Sequence, residues 1–370
     1  MRTISLLIKP ASGSCNMRCR YCFYADVADS RVVKSRGIMS AETLEIVVKK
    51  ALSETRSHCV IGFQGGEPTL AGLDFFHLLI ELERKHNTNG IKVSYALQTN
   101  GLLLDDDWAR LFRENNFLVG LSIDCTKRVH DYLRADSAKN GTHNRCMAAA
   151  RLLVKHRVDF NILSVVTRQL AAHPDTAYHF YKQNGFRYIQ FIPCLDDLNK
   201  PRGESEYSLT SEDYGSFLCR IFDLWYTDFA KNDYYSIRAF DNYIQMLAGY
   251  PPESCAMSGV CNPYALVEAD GSVYPCDFYA IDEFLLGNVQ THSFADMLNG
   301  ERAEAFAEPS RHYPAACLSC EYYFICRGGC RRDREPATNG QLPTNYYCAA
   351  YKKFFAHALP RMNIVARSLR

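Results

Sequence analysis

Ser14-Cys15-Asn16-Met17-Arg18-Cys19-Arg20-Tyr21-Cys22, residues 14 to 22 of a 370-residue chain, is the stretch on which the fold turns. It presents three thiols as C-x3-C-x2-C. A cubane [4Fe-4S] cluster has four irons, and three soft thiolates hold three of them, so the fourth is left to bind a substrate instead of only passing electrons. Zinc is the alternative ligand, but it normally takes paired cysteines at C-x2-4-C and closes with four.

Outward from this triplet, composition narrows the rest. Hydrophobic residues make up 47% of the chain, a soluble globular value. Lys plus Arg total 42 against 41 Asp plus Glu, for a net charge of +1. That balance provides no basic field for nucleic acid and no acidic solvating tail. The opening Met1 to Lys9 is too short an apolar run for an export signal, and nothing reaches the roughly 18 apolar residues of a membrane span. The expectation is a cytoplasmic protein with neither a nucleic-acid nor a membrane partner. Sixteen cysteines in a reducing compartment point to metal ligation and not to disulfides. Cys59, Cys125, Cys146, Cys194 and Cys219 are scattered and read as small buried hydrophobes.

From Ser5 to Cys194, β-rich runs alternate with amphipathic helical stretches. The strands expected are 5–8, 59–63, 93–97, 118–122, 160–165 and 188–192, with helices such as 41–53 and 75–86 between them. Such alternation implies an α/β fold, a parallel sheet curved into a partial (β/α)6 barrel with its chemistry at the C-terminal strand ends. The triplet follows the first strand. The expected domains are 1–200 for the barrel, 201–250 for a helical connector, 251–350 for a cysteine-rich module, and 351–370 for a terminal helix.

Three further constellations lie on this frame. Phe63-Gln64-Gly65-Gly66-Glu67-Pro68 ends the second strand; its glycines allow close backbone approach, and carbonyls freed by the turn accept hydrogen bonds from an ammonium group. Alone, it also fits an ordinary strand-to-helix turn. Leu121-Ser122-Ile123-Asp124 closes the fourth strand with a hydroxyl and a carboxylate suited to a ribose or a carboxylate-bearing ligand, although Asp124 equally suits a helix cap. Cys255, Cys261, Cys276, Cys317, Cys320, Cys326, Cys330 and Cys348 make two sets of four, enough to close two cubanes or two zinc knuckles.

Taken together, the triplet with Tyr21 before its last cysteine and the GGEP turn resemble the radical S-adenosylmethionine (SAM) enzymes. The C-terminal C-x2-C-x5-C-x3-C run resembles the SPASM domain, which binds two auxiliary [4Fe-4S] clusters. Over almost the whole chain the resemblance is to anaerobic sulfatase-maturating enzymes. It rests on Leu6-Leu7-Ile8-Lys9-Pro10, Tyr21-Cys22-Phe23-Tyr24, residues 63–72, Leu97-Gln98-Thr99-Asn100-Gly101, residues 270–279, Gly328-Gly329-Cys330-Arg331-Arg332 and Asn345-Tyr346-Tyr347-Cys348.

The resemblance implies three [4Fe-4S] clusters: Cys15, Cys19 and Cys22 on the first, Cys255, Cys261, Cys276 and Cys330 on the second, and Cys317, Cys320, Cys326 and Cys348 on the third. It assigns Tyr21, Gly66, Ser122, Arg134 and Leu195 to SAM, with Arg134 pairing the SAM carboxylate; a solvated Arg134 and a plain core Leu195 are the alternatives. It implies that SAM is cleaved to a 5′-deoxyadenosyl radical, which takes a hydrogen atom from Cβ of a cysteine or serine in a Cys/Ser-x-Pro-x-Arg segment. Loss of a proton, with Asp277 as base, and of another electron then leads to Cα-formylglycine. A structural Asp277 bonded to backbone amides is the alternative. The implied partners are an unfolded or nascent sulfatase and an electron donor such as flavodoxin or ferredoxin.

A maturase forming a thioether or carbon–carbon crosslink in a short ribosomal peptide shares these motifs, whereas a multi-cluster electron carrier would not need the open triplet with GGEP. The chain departs from its relatives at Asp124-Cys125-Thr126, where they carry Gly after Asp. The expectation there is a structural thiol, with substrate contact as the alternative. Anaerobic reconstitution should load about twelve irons as three cubanes, and replacing Cys15, Cys19 and Cys22 by Ala should remove about four of them. Iron and sulfide assay checks this, and stoichiometric zinc in active protein would refute it.

Overall fold

A computed structural model describes residues 1–198, 200–337 and 340–368. All six expected strands are present with ends within two residues of those read from sequence: Thr3–Ile8, His58–Phe63, Lys92–Thr99, Leu118–Ser122, Phe160–Val166 and Tyr188–Pro193. Helix Ala41–Glu54 starts where the Ser40 hydroxyl accepts from Thr43 N, and its Leu44, Val47, Val48, Ala51 and Leu52 are buried at three- and four-residue spacing. Helix Leu73–His86 buries Phe75, Phe76, Leu79 and Ile80 and ends on Arg84, Lys85 and His86, which complement its dipole. Among the described residues no helix is long and apolar enough to cross a membrane.

The chain forms two compact units whose limits differ from the expected domains. The first holds Met1–Ile123, His130–Asn161 and Pro263–Phe306; the second holds Asp124–Val129, Ile162–Asn262 and Ala307–Arg370. In the first unit, strands Thr3–Ile8, His58–Phe63, Lys92–Thr99 and Leu118–Ser122 pair in sequence, all parallel. The C-terminal region, read from sequence as a separate module, contributes to this same sheet. Ala265–Val267 pairs parallel with the first strand, Leu6 opposite Ala265, and Ser272–Tyr274 and Gly287–Asn288 follow antiparallel. Three-residue strands in a Cys- and Tyr-rich segment carry too little alternation to be read from sequence.

A buried ion triad locks that added strand. Lys9 Nζ lies 2.6 Å and Arg31 Nη1 2.5 Å from Glu268 Oε1, with every side chain fully buried. Burial opposes the charge on Glu268, yet the two cations hold its carboxyl down at about 2.

In the second unit, Phe160–Val166 and Tyr188–Pro193 pair in parallel. Helix Ser211–Phe229 packs on helix Cys348–Arg367, with the Phe222 and Phe354 rings 6.0 Å apart. The terminal helix therefore begins three residues earlier than expected; the last two expected positions, 369 and 370, lie outside the described residues. The cysteine-rich loops of this unit are held by polar staples. Buried Arg334 donates to the carbonyls of Ser310 and His312, and Asn345 Nδ2 donates to Gly328 O at 3.2 Å.

Glu268→Ala should leave two buried cations without their anion and cost about 3–5 kcal/mol. Urea unfolding of the metal-free chain measures it, and a cost below about 1 kcal/mol, the scale of a surface pair, would show that the triad does not hold the strand.

Candidate active site

The Cys15 loop and the glycine turn are built against each other. Gly66 has φ +58°, and a Cβ there would stand 2.2 Å from Ser14 O, so this position admits only glycine without a shift of the loop. Glu67 N donates to the same carbonyl at 2.8 Å. The Glu67 carboxylate turns inward: Oε1 accepts from Thr69 N, Thr69 Oγ1 and Thr99 Oγ1, and Oε2 from Asn100 N. Asn100 Nδ2 in turn donates to Asn16 Oδ1 at 2.7 Å. Cys15 Sγ accepts from Met17 N at 3.3 Å, while burial pushes its thiol up to about 11. Glu67 and Cys22 push the same way, and Met17 N and Arg134 oppose them.

Cys19 and Arg134 face each other in a short antiparallel pair, Met17–Cys19 with Arg134–Asp136. Arg134 is 7% exposed and its Nη1 donates to Tyr21 Oη at 2.8 Å. Its place is at the buried cysteine loop and not on the solvated surface. Ser122 ends a strand parallel to His58–Phe63, so it shares the C-terminal edge of the sheet with Gly66.

Asp124 and Leu195 belong to the second unit. Asp124 is buried and its Oδ1 accepts from Val165 N at 2.9 Å. Cys125 has φ +58°, a conformation that glycine takes freely and cysteine rarely. It is 1% exposed, its N–H donates to Tyr181 Oη at 2.9 Å, and burial pushes its thiol up to about 11. Its packing is that of a core residue at the wall of a pocket shared with Thr126, Arg128 and His173. Leu195 is half-buried just beyond strand Tyr188–Pro193; the carbonyl of its neighbour Asp196 accepts from Arg332 Nη2 at 2.8 Å.

Four of the C-terminal thiols, Cys317, Cys320, Cys326 and Cys348, line one pocket with Tyr322, Tyr323 and Phe355. Cys330 is outside that lining; burial drives its thiol well above the ordinary value, and the neighbouring Asp333, Cys255 and Cys261 add to the push. Cys276 falls in the first unit, whereas Cys255, Cys261 and Cys330 fall in the second. Among the described residues no three His, Cys, Asp or Glu side chains converge on a single ion. The thiolates of a cubane surround a four-iron core and stand further apart than those of a mononuclear site.

Asp277 opens the turn Asp277–Tyr279 directly after Cys276. Its Oδ2 accepts from Tyr24 Oη at 2.9 Å and its Oδ1 from Tyr264 Oη at 2.6 Å. Burial, reinforced by Asp277, drives both phenols well above the ordinary tyrosine value, which keeps them protonated donors. Among the described residues the partners of the carboxylate are side chains. Neither tyrosine was read from sequence as a site residue. Tyr24 stands in the Tyr21-Cys22-Phe23-Tyr24 run, but Tyr264 carries no spacing signal.

This arrangement has known counterparts. Residues 10–175 match the Radical SAM superfamily and residues 259–321 an iron-sulfur cluster-binding domain, SPASM. A cysteine-type anaerobic sulfatase-maturating enzyme of Clostridium novyi is 44% identical, covering 100% of this chain and 99% of its own. A serine-type enzyme of Bacteroides thetaiotaomicron is 31% identical, covering 100% and 92%. The solved structure of native anSMEcpe with bound AdoMet and Cp18Cys peptide superposes with a TM-score of 0.96 at 44% identity, covering 100% of each chain.

Gly66→Ala should cost more than the roughly 1–2 kcal/mol of a left-handed alanine, because the Ser14 loop must also move, and SAM binding by equilibrium dialysis should weaken. Gly185→Ala, with φ +71° and nothing within 4 Å of the added carbon, is the control that carries the conformational cost alone. Equal losses of stability and of SAM binding in the two variants would disprove the close-approach role of Gly66.

Proposed function

Since this chain belongs to the anaerobic sulfatase-maturating enzymes, we propose that it oxidises the side chain of a cysteine or serine in a Cys/Ser-x-Pro-x-Arg segment of a sulfatase to Cα-formylglycine. Cysteine is the preferred target: the cysteine-type relatives are 44–45% identical, the serine-type ones 30–31%. The substrate is the unfolded or nascent sulfatase chain, and a flavodoxin or ferredoxin supplies electrons in the cell.

Ten of the eleven ligand cysteines are buried or half-buried, and Cys255 is exposed. Cys15, Cys19 and Cys22 hold the cluster that engages SAM; Cys255, Cys261, Cys276 and Cys330 hold one auxiliary cluster, and Cys317, Cys320, Cys326 and Cys348 the other. The common lining formed by the last four supports that division. When bound, SAM and the clusters supply the hydrogen-abstracting radical and the route for the departing electron.

The protein's own part is to bind and orient. The Gly66 turn presents backbone to the methionine amino group, Ser122 and Arg134 contact SAM beside Tyr21, and Leu195 packs on adenine. Asp277 removes the proton from the target thiol or hydroxyl. The observation that carries this reading is the Asp277 carboxylate, fixed by two phenols immediately after Cys276.

Asp277→Asn keeps the shape but cannot accept the proton, so formylglycine formation should fall by about 10²- to 10⁴-fold while SAM cleavage persists. Mass spectrometry of a Cys-x-Pro-x-Arg peptide, with chromatography of 5′-deoxyadenosine, separates the two. A near-normal aldehyde yield would return Asp277 to a structural role, and a crosslinked peptide product would favour the maturase alternative.

A further inference from the structure

Tyr264 touches Asp277 at two points. Its hydroxyl donates to Oδ1 at 2.6 Å and accepts from the Asp277 backbone N–H at 2.9 Å, so a single oxygen fixes both the turn and the carboxylate. The ring is itself set by the sheet: Tyr264 N donates to Pro275 O at 3.1 Å, and the next residue begins strand Ala265–Val267, in register with Leu6–Ile8. Cys276 Sγ also approaches Oδ1, at 3.6 Å. The Tyr264 hydroxyl is the closer donor on that oxygen.

We infer that Tyr264 is the positioning residue of the oxidation step: it pins Oδ1 and the backbone of Asp277 and leaves Oδ2, the oxygen facing the Tyr24 hydroxyl, as the one that takes the substrate proton. The inference rests on Asp277 being the base. Tyr264 touches neither SAM nor substrate in this role. Its removal frees the carboxylate to rotate and uncouples radical formation from aldehyde formation, because a reacting group displaced by an ångström loses much of its advantage.

Tyr264→Phe deletes the shared oxygen and keeps the ring. In the reconstituted enzyme, iron content should match the parent, and the melting temperature should fall by no more than the loss of a buried hydrogen bond brings. 5′-Deoxyadenosine should form at near-parental rate, and the ratio of 5′-deoxyadenosine to formylglycine should rise by about 10- to 100-fold. Combined with Asp277→Asn, the variant should lower aldehyde formation no further than Asp277→Asn alone. A parental ratio in Tyr264→Phe with a deficient Asp277→Asn overturns the inference and leaves the base reading standing. Full additivity of the two losses overturns it as well, as does loss of about four irons, which would assign Tyr264 to the hold on Cys276. A parental yield in Asp277→Asn removes the base reading, and the inference with it.

Discussion

Glu67 is a buried carboxylate saturated by four donors, and the architecture of the cysteine loop depends on it. Desolvation raises its pKa above the ordinary carboxylic value, and the hydrogen bonds from Asn100, Thr69 and Thr99 offset that only in part. In accepting them it ties the ends of two neighbouring strands, and its own amide grips Ser14. Asn100, held by Glu67, then reaches Asn16. One acidic side chain therefore fixes the sheet edge, the glycine turn and the loop that carries the triplet. Within the motif, glycine faces the loop and glutamate faces the protein.

The second ordering element comes from the far end of the sequence. Strand Ala265–Val267 extends the parallel sheet beyond the first strand, and the triad of Lys9, Arg31 and Glu268 fastens it there. The turn bearing Asp277 follows within ten residues of Val267. Tyr24, from the helix just past the triplet, meets the same carboxylate. Residues 253 positions apart are thus brought to one hydrogen bond by sheet pairing, not by local structure.

How much of this was legible in sequence depended on the range of the interaction. The six long strands showed themselves as β-branched and aromatic runs, the residues that suit a pleated, half-buried surface. The helices declared themselves by apolar spacing and by caps such as Ser40. Cysteine spacing exposed the chemistry because three thiolates at C-x3-C-x2-C leave one iron of a cubane open. By contrast, Arg134 with Tyr21 and Lys9 with Glu268 are pairs 113 and 259 residues apart, and no local pattern encodes either. Cys125 is an intermediate case. Its departure from glycine was visible, but the left-handed backbone that makes the departure costly was not.

The burial that shapes these loops also sets their acid–base state. Burial raises the thiols of Cys15, Cys261, Cys317, Cys326 and Cys330, to about 11 for Cys15 and Cys326. At neutral pH the metal-free chain carries these sulfurs as uncharged thiols, packed as small apolar groups. Thiolates are what iron binds, so each ligand must shed a proton as it takes up metal. Cluster assembly is therefore an exchange of protons for iron, drawn forward by any base able to carry those protons away.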